Sequence, residues 1–134
     1  MVSPNQSLPS VHVHVLDNQH EVLFESIERL EKAMADGQST AELPQIINAL
    51  YTYASQHGPT EERLMTAYAY PWRDVHTIEH QKFFTRLREV ERMVGEGHST
   101  AAIQTLSRLR GWLEKHIEEW DTKLGDFLNS RGID

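Results

Sequence analysis

Histidine and carboxylate side chains recur along this chain at spacings that place them together on helix faces. His57 precedes Glu61 by four residues. His76 precedes His80 by the same interval. Residues four apart lie on the same side of an α-helix. Neutral imidazole binds iron, zinc, copper and nickel, so eight histidines among 134 residues in this pattern indicate a metal site.

The two halves of the chain match one another at an offset of 60 residues. Residues 17–41 laid on residues 77–101 give seven identities in 25 positions, and one of them pairs His20 with His80. In the helix that follows in each half, His57 falls on His116 after a one-residue gap, and Glu61 falls on Asp121 once that gap is closed. His76 has no counterpart in the first half, since Leu16 stands there. The second half therefore offers three imidazoles and the first half two.

Seven of these side chains fall on apolar helix faces that point towards a core. Burying two carboxylates without partners would be prohibitive, and a pair of divalent cations supplies the compensation. Three imidazoles on one ion, two on the other, and both carboxylates and a small oxygen species as bridges make a dinuclear site. One ion then has six ligands and the other five, with an open position for a small ligand. The seven are His20, His57, Glu61, His76, His80, His116 and Asp121.

Four helices must position these residues. We expect an all-α, up-down-up-down four-helix bundle over residues 17–134, because connections of a few residues make successive helices antiparallel neighbours. Residues 1–16 are expected to form an irregular N-terminal arm. The expected helices run from an N-cap at Asp17 to Gly37, from a capping box at Ser39–Glu42 with Pro44 in its first turn, from about Trp72 to Val94, and from Ser99 to about Asn129.

The motifs resemble those of the hemerythrin family, and within it the small stand-alone bacterial hemerythrins. The family pattern is a histidine preceded by an aspartate, then H-x-x-x-E, H-x-x-x-H and H-x-x-x-x-D. This chain has Asp17 before His20 and the three later motifs at 57–61, 76–80 and 116–121. The resemblance covers about residues 10–130.

The resemblance implies a role for each ligand. His76, His80 and His116 would bind a six-coordinate iron, His20 and His57 an iron with an open position, and Glu61 and Asp121 would bridge. It also implies two iron ions joined by an oxo or hydroxo group, with dioxygen as the small-molecule partner. The implied function is reversible dioxygen binding for transport, storage or delivery.

The residues expected around the open position are Leu113, Ile117, Trp112 and Gly58. The family commonly has phenylalanine where this chain has Gly58, which predicts a gap, easier ligand access and faster autoxidation. Pro59 follows, and proline inside a helix removes one hydrogen bond and clashes with the carbonyl four residues back. We therefore expect a kink or bulge at Ser55–Pro59.

Other functions remain open at this point. A di-iron redox enzyme, or a sensor of oxygen, nitric oxide or iron that signals to a partner chain, would use the same ligands. Chemistry beyond binding usually needs a placed acid or base, and neither Leu113, Ile117 nor Trp112 titrates. We therefore expect an oxygen-binding protein and no enzyme, with peroxidase-like turnover or autoxidation only as side reactions. An unidentified protein would receive the oxygen.

Composition excludes several further classes. The chain has no cysteine, so disulfides, iron–sulfur clusters and thiol catalysis are ruled out. A net charge of -7 makes it a poor binder of nucleic acid or anionic membranes. The sequence contains no run of about 18 apolar residues, so we expect no membrane span. The N-terminal residues lack a signal-peptide pattern, so we expect a cytoplasmic protein.

Overall fold

Four long helices form the bundle that the sequence predicts. The computed structural model describes residues 8–37 and 43–134, and over these ranges the fold is all-α. The helices are α1 (His14–Ala35), α2 (Leu43–Ala67), α3 (Arg73–Gly95) and α4 (Ser99–His116), which continues through a π-helical turn (Ile117–Asp121) into α5 (Thr122–Ser130). Each helix packs on the next, and α4 packs on α1 to close the bundle. The all-α four-helix bundle is thus confirmed.

The apolar stripes of the sequence form the core. Side chains from all four long helices are fully buried along the bundle axis, where removal of apolar surface from water supplies the main favourable free energy of folding. Those with essentially no exposed surface include Ile27, Leu30, Leu50, Leu87, Leu106 and Leu109. This core leaves the seven histidines and carboxylates as a polar cluster within an otherwise apolar interior.

The ends of α1 and α3 repeat the same local structure 60 residues apart. Gly37 and Gly97 have φ of 68° and 79°, which glycine adopts without steric cost. Their amides donate to the carbonyls of Met34 and Val94, which closes each helix in the same way. The internal repeat of the sequence is therefore also a repeat of structure. The predicted capping box at residues 39–42 lies outside the described residues.

The first helix begins earlier than the sequence predicts. α1 starts at His14, so Asp17 lies inside its first turn and is not the N-cap. The Asp17 carboxylate instead accepts hydrogen bonds from Ser10 Oγ at 2.7 Å and from the backbone N–H of Val11 at 2.8 Å. The arm therefore ends at residue 13 and not at residue 16, and the Asp17 carboxylate forms hydrogen bonds with the arm instead of capping the helix.

The arm packs against the C-terminal part of the chain. Val11 is buried, and a Cβ on Gly125 in α5 would overlap its carbonyl oxygen. The N–H of His14 donates to the carbonyl of Asp134 at 2.9 Å, and Asn129 Nδ2 donates to the carbonyl of His12 at 2.9 Å. The arm and the C-terminal residues therefore meet on one side of the bundle.

The second helix passes through Pro59 without a break. Residues 43–67 are one continuous α-helix, so the bulge predicted at Ser55–Pro59 is wrong, whereas the alternative of a kink stays a prediction. Pro59 is exposed on the outer face, where water can hydrogen-bond to the carbonyl left without a donor. The departure from α-helical geometry lies instead in the fourth helix, at residues 117–121.

Candidate metal centre

The seven predicted side chains converge at one place in the bundle core. Their potential ligand atoms form two groups that share both carboxylates, and within each group these atoms lie within 4.8 Å of one another. One group is Glu61, His76, His80, His116 and Asp121, and the other is His20, His57, Glu61 and Asp121. We call the first the three-imidazole side and the second the two-imidazole side. The split of three and two is the one that the sequence repeat predicts.

Glu61 divides its two oxygens between these sides. Its Oε1 lies 2.9 Å from His76 Nε2 and 2.8 Å from His80 Nε2, both on the three-imidazole side. Its Oε2 lies 3.4 Å from His57 Nε2 and 3.6 Å from His20 Nε2. A carboxylate oriented in this way has one oxygen available to each of two metal positions.

Asp121 makes the same division. Its Oδ1 lies 2.9 Å from His76 Nε2 and 3.1 Å from His116 Nε2, whereas its Oδ2 lies 2.9 Å from His20 Nε2. All five imidazoles therefore direct Nε2 towards the carboxylates. Five nitrogen and four oxygen donors around one point are a donor set that suits a pair of divalent transition-metal ions.

The donors are buried and their hydrogen-bonding capacity is incompletely used. Each of the seven residues is at most 8% exposed. Among the described residues, His20 Nε2, His57 Nε2, His116 Nε2, Glu61 Oε2 and both Asp121 oxygens lack a hydrogen-bond partner of acceptable geometry. Buried polar atoms without partners are rare in folded proteins and indicate a place for an ion or water. The residues present therefore fit a bound metal pair.

Electrostatics in this cluster strongly favour the charged forms. Burial lowers the pKa of His20, but the Asp121 and Glu61 carboxylates outweigh burial and raise that pKa to about 10. The pKa of His76 rises to about 9 against the same opposing effect of burial. Burial raises the pKa of Glu61 and of Asp121, yet the imidazoles hold both pKa values well below the usual range. Without metal, protons on His20 and His76 therefore balance the carboxylates.

A π-helical turn places His116 and Asp121 on the same side of the fourth helix. Residues five apart in an α-helix point about 140° away from each other. Over Ile117–Asp121 the chain forms i→i+5 hydrogen bonds instead, and the N–H of Thr122 donates to the carbonyl of Ile117. Thr122 Oγ1 donates to the same carbonyl at 3.0 Å. The apolar pattern predicts one regular helix here, and only the five-residue spacing of H-x-x-x-x-D carries a signal of the turn.

An apolar cavity adjoins the cluster. Its volume is about 20 Å³, room for roughly one small molecule. Besides His57, His80 and His116, it is lined by Leu23, Ala54, Gly58, Phe83, Phe84, Trp112 and Leu113. Gly58, Trp112 and Leu113 thus lie where the sequence predicts them, next to the candidate ligands.

One predicted pocket residue does not line the described cavity. Ile117 is fully buried but is not among the described residues that line the cavity. It is the first residue of the π-helical turn, and its side chain belongs to the core of the bundle. Phe83 and Phe84 line the cavity, although no pocket role is predicted for them. Their position three and four residues after His80 is visible in the sequence only as an apolar stripe.

Two polar residues without a predicted role contact the outer nitrogens of the imidazoles. Gln19 Oε1 lies 2.9 Å from His57 Nδ1. Glu62 Oε2 lies 3.1 Å from His80 Nδ1. When a metal ion occupies Nε2 of such a ring, the remaining proton is on Nδ1, and the Nδ1–H group donates a hydrogen bond to Gln19 or Glu62. Each contact fixes the orientation of one imidazole.

Comparisons with known proteins agree with this arrangement. The sequence model of the hemerythrin HHE cation binding domain matches residues 11–128. The bacteriohemerythrin of Methylococcus capsulatus is 26% identical over 119 residues, which are 89% of this chain and 90% of that protein. The bacteriohemerythrin of Pseudomonas aeruginosa is 32% identical over 111 residues, 81% of this chain and 70% of the relative. That of Campylobacter jejuni is 29% identical over 129 residues, 95% and 96% of the two chains. No solved structure matches the chain significantly.

Proposed function

Because the chain belongs to the hemerythrin HHE cation-binding family, we propose that it binds dioxygen reversibly at a centre of two iron ions joined by an oxo or hydroxo bridge. Membership makes it a non-haem iron protein of the oxygen-binding type. Reversibility, two irons and the bridge are our proposal. The observation that supports it best is that each of Glu61 and Asp121 offers one oxygen to the three-imidazole side and the other to the two-imidazole side.

In this proposal the seven side chains are the ligands of two iron ions. His76, His80 and His116 bind one iron, His20 and His57 bind the other, and Glu61 and Asp121 bridge. When bound there, two irons would supply the electrons for a reversible reduction of dioxygen. With two imidazoles instead of three, the two-imidazole side would offer one protein ligand fewer and leave room for a small ligand.

The cavity walls would control what reaches this position. Leu113, Phe83 and Trp112 present apolar surface to the cavity, which disfavours water and anions and admits a small neutral molecule. Trp112 also stacks on the His116 ring, with centroids 4.8 Å apart and planes 16° from parallel. An apolar shell of this kind slows irreversible oxidation because it keeps solvent from the metal.

The alternative of a di-iron redox enzyme would need a proton donor or acceptor beside the ligand position. Apart from the three imidazoles, the described residues that line the cavity carry no titratable side chain. This favours binding over turnover, and we propose that the protein is not an enzyme. A sensor that signals through a partner protein would use the same centre and would bind dioxygen in the same way.

Oxygen uptake by the iron-loaded protein tests the proposal. With an oxygen electrode, we expect dioxygen to be taken up in proportion to bound iron and given back when the pressure is lowered. His57→Ala, which removes one ligand from the two-imidazole side, should abolish uptake. Continuous oxygen consumption in the presence of excess reductant would contradict reversible binding and favour the enzyme.

A further inference from the structure

On the two sides of the centre, the Nδ1 atoms of the imidazoles form hydrogen bonds with chemically different groups. On the two-imidazole side His57 Nδ1 donates to the neutral amide oxygen of Gln19, whose Nε2 in turn donates to Thr60 Oγ1 at 3.1 Å. On the three-imidazole side His80 Nδ1 donates to the carboxylate of Glu62. Glu61 and Glu62 thus contact the two nitrogens of the same ring.

We propose that Gln19 and Glu62 are positioning residues that increase the difference in affinity between the two metal sites beyond what three imidazoles against two would produce. The carboxylate of Glu62 makes the His80 imidazole a stronger donor, so the ion on the three-imidazole side is held more tightly. The Gln19 amide only orients His57, so the ion on the two-imidazole side is bound more weakly. The inference rests on the proposed two-metal centre and adds which ion is the more easily lost and why.

The physical basis is the charge of the hydrogen-bond acceptor. A hydrogen bond from N–H to a carboxylate is about twice as strong as one to a neutral oxygen and draws the shared proton away from the ring. The ring nitrogen on the metal side then becomes more basic, and loss of such a contact typically lowers metal affinity by about 10–100-fold. An amide acceptor fixes ring orientation but transfers less electron density.

Gly58 leaves the space in which this contact forms. A Cβ at position 58 would lie 3.4 Å from Glu62 Oε2 and 3.7 Å from His80 Nδ1. A side chain longer than that of alanine would therefore extend into the region shared by Glu62 and His80. The Gly58 departure from the family pattern thus bears on the three-imidazole side as well as on the cavity.

Binding of Co²⁺ to the metal-free protein, without air, separates the two sites. Co²⁺ accepts the same imidazole and carboxylate ligands. Competition with a chelator should show two separate Co²⁺-binding steps in the unmodified protein, a tighter one and a weaker one. In crystals grown with one equivalent of Co²⁺, anomalous scattering should place most of the metal on the three-imidazole side.

Charge-swapping variants test the cause of the difference. Glu62→Gln keeps an acceptor for His80 but removes the charge, so the tighter step should weaken by about ten-fold and the two steps should approach each other. Gln19→Glu should tighten the weaker step. A purely orienting role for Gln19 would not produce this gain, since the amide already orients the ring.

Two matched variants control for indirect effects. Glu96→Gln removes the same charge on the exposed surface, about 24 Å along α3 from His80, and should leave both steps unchanged. Thr60→Val removes the second partner of Gln19 and should affect the weaker step alone.

The outcomes separate this inference from the function on which it rests. Fewer than two Co²⁺ per chain in the unmodified protein would contradict the proposed centre and this inference with it. Two equivalents that fill both sides equally, or Glu62→Gln and Gln19→Glu with unchanged affinities, would overturn the inference alone.

Discussion

At the scale of single residues, the carboxylates at the centre face protonated imidazoles when no metal is bound and metal ions when metal is bound. Without metal, Glu61 and Asp121 are balanced by protons on the imidazoles, and these carboxylates raise the pKa of His20 to about 10 and of His76 to about 9. With metal, the same imidazoles must be neutral, because a metal ion and a proton compete for one nitrogen. The two states therefore respond to pH in opposite directions.

We expect the metal-free protein to lose stability as pH rises from about 6.5 to about 10. A histidine whose folded-state pKa is raised contributes stability below its unfolded pKa of 6.5, and this contribution disappears as pH passes the folded value. The lowered pKa values of Glu61 and Asp121 make a contribution that is lost in acid, below about pH 4. Urea unfolding in the presence of a chelator, measured between pH 3 and 10, should show a maximum near pH 5–6.

The iron-loaded protein should behave differently over the alkaline half of this range. Its metal affinity should increase with pH because fewer protons compete for the imidazoles. A metal-free protein whose stability is constant between pH 6.5 and 10 would contradict the assigned contacts between imidazoles and carboxylates.

A substitution at residue 58 tests whether the cavity controls access of solvent and oxygen to the metal centre. Gly58→Ala places a methyl group at ordinary contact distance from Glu62 and His80 and narrows the cavity. We expect the variant to be about 1 kcal/mol more stable, since alanine favours the helix over glycine, and to autoxidise more slowly. Unfolding in urea and the rate of ferric conversion in air check this prediction, and faster autoxidation would count against a solvent-excluding role for the cavity.

The sequence predicts the ligands better than their surroundings. All seven candidate ligands are recognisable from spacing, because histidines and carboxylates paired on apolar helix faces are costly to bury without a metal. Gln19 and Glu62 are not recognisable in this way. Their roles depend on which ring nitrogen faces inwards and on the side-chain conformations of their own helices, and neither follows from residue type.

At the scale of elements, the π-helical turn is the feature on which the second bridging carboxylate depends. Deletion of Glu119, an exposed residue of this turn, would leave Asp121 four residues after His116, the spacing that puts two side chains on one face of a regular α-helix. We expect the variant to remain helical by circular dichroism and to bind metal as the unmodified protein does, because the turn only compensates for the fifth residue of the spacing.

The matched control for this deletion is Glu119→Ala, which removes the side chain and keeps the turn, and it should bind metal normally. Loss of metal by the deletion variant, but not by Glu119→Ala, would contradict the compensating role of the turn. The sequence conceals the turn because a single inserted residue leaves the apolar pattern of the fourth helix almost unchanged. At Pro59 the sequence instead suggests an irregular turn that the structure lacks, since an exposed proline is accommodated in α2 without any change of helix type.

At the scale of the whole molecule, the arm joins the N-terminal and C-terminal parts of the described chain. Gly125→Ala would force the new Cβ into the Val11 carbonyl, so we expect a loss of about 2 kcal/mol in the free energy of unfolding and release of the arm. Urea unfolding and limited proteolysis between residues 8 and 13 measure the two effects.

The control for this variant is Gly111→Ala, whose Cβ meets no atom of the described structure within 4 Å. It should be at least as stable as the unmodified protein. Equal stability of Gly125→Ala and Gly111→Ala would contradict the close packing of the arm on α5.

The overall architecture is predictable because it depends on short connections and a sequence repeat. The packing of the arm and the start of the first helix are not, because two valines and an aspartate within a polar segment do not reveal which of them is buried. No helix in the described part of the chain is long and apolar enough to cross a membrane. The cytoplasmic location and a protein that receives the oxygen stay predictions.

The visible spectrum of the purified protein, taken together with its iron content, tests the central claim most directly. Spectra would be recorded in air, after deoxygenation and after renewed exposure to air. We expect two irons per chain and a charge-transfer band that disappears on deoxygenation and returns with oxygen over repeated cycles. Two irons with immediate and permanent conversion to a ferric spectrum would contradict reversible binding, and a chain without iron would contradict the metal centre.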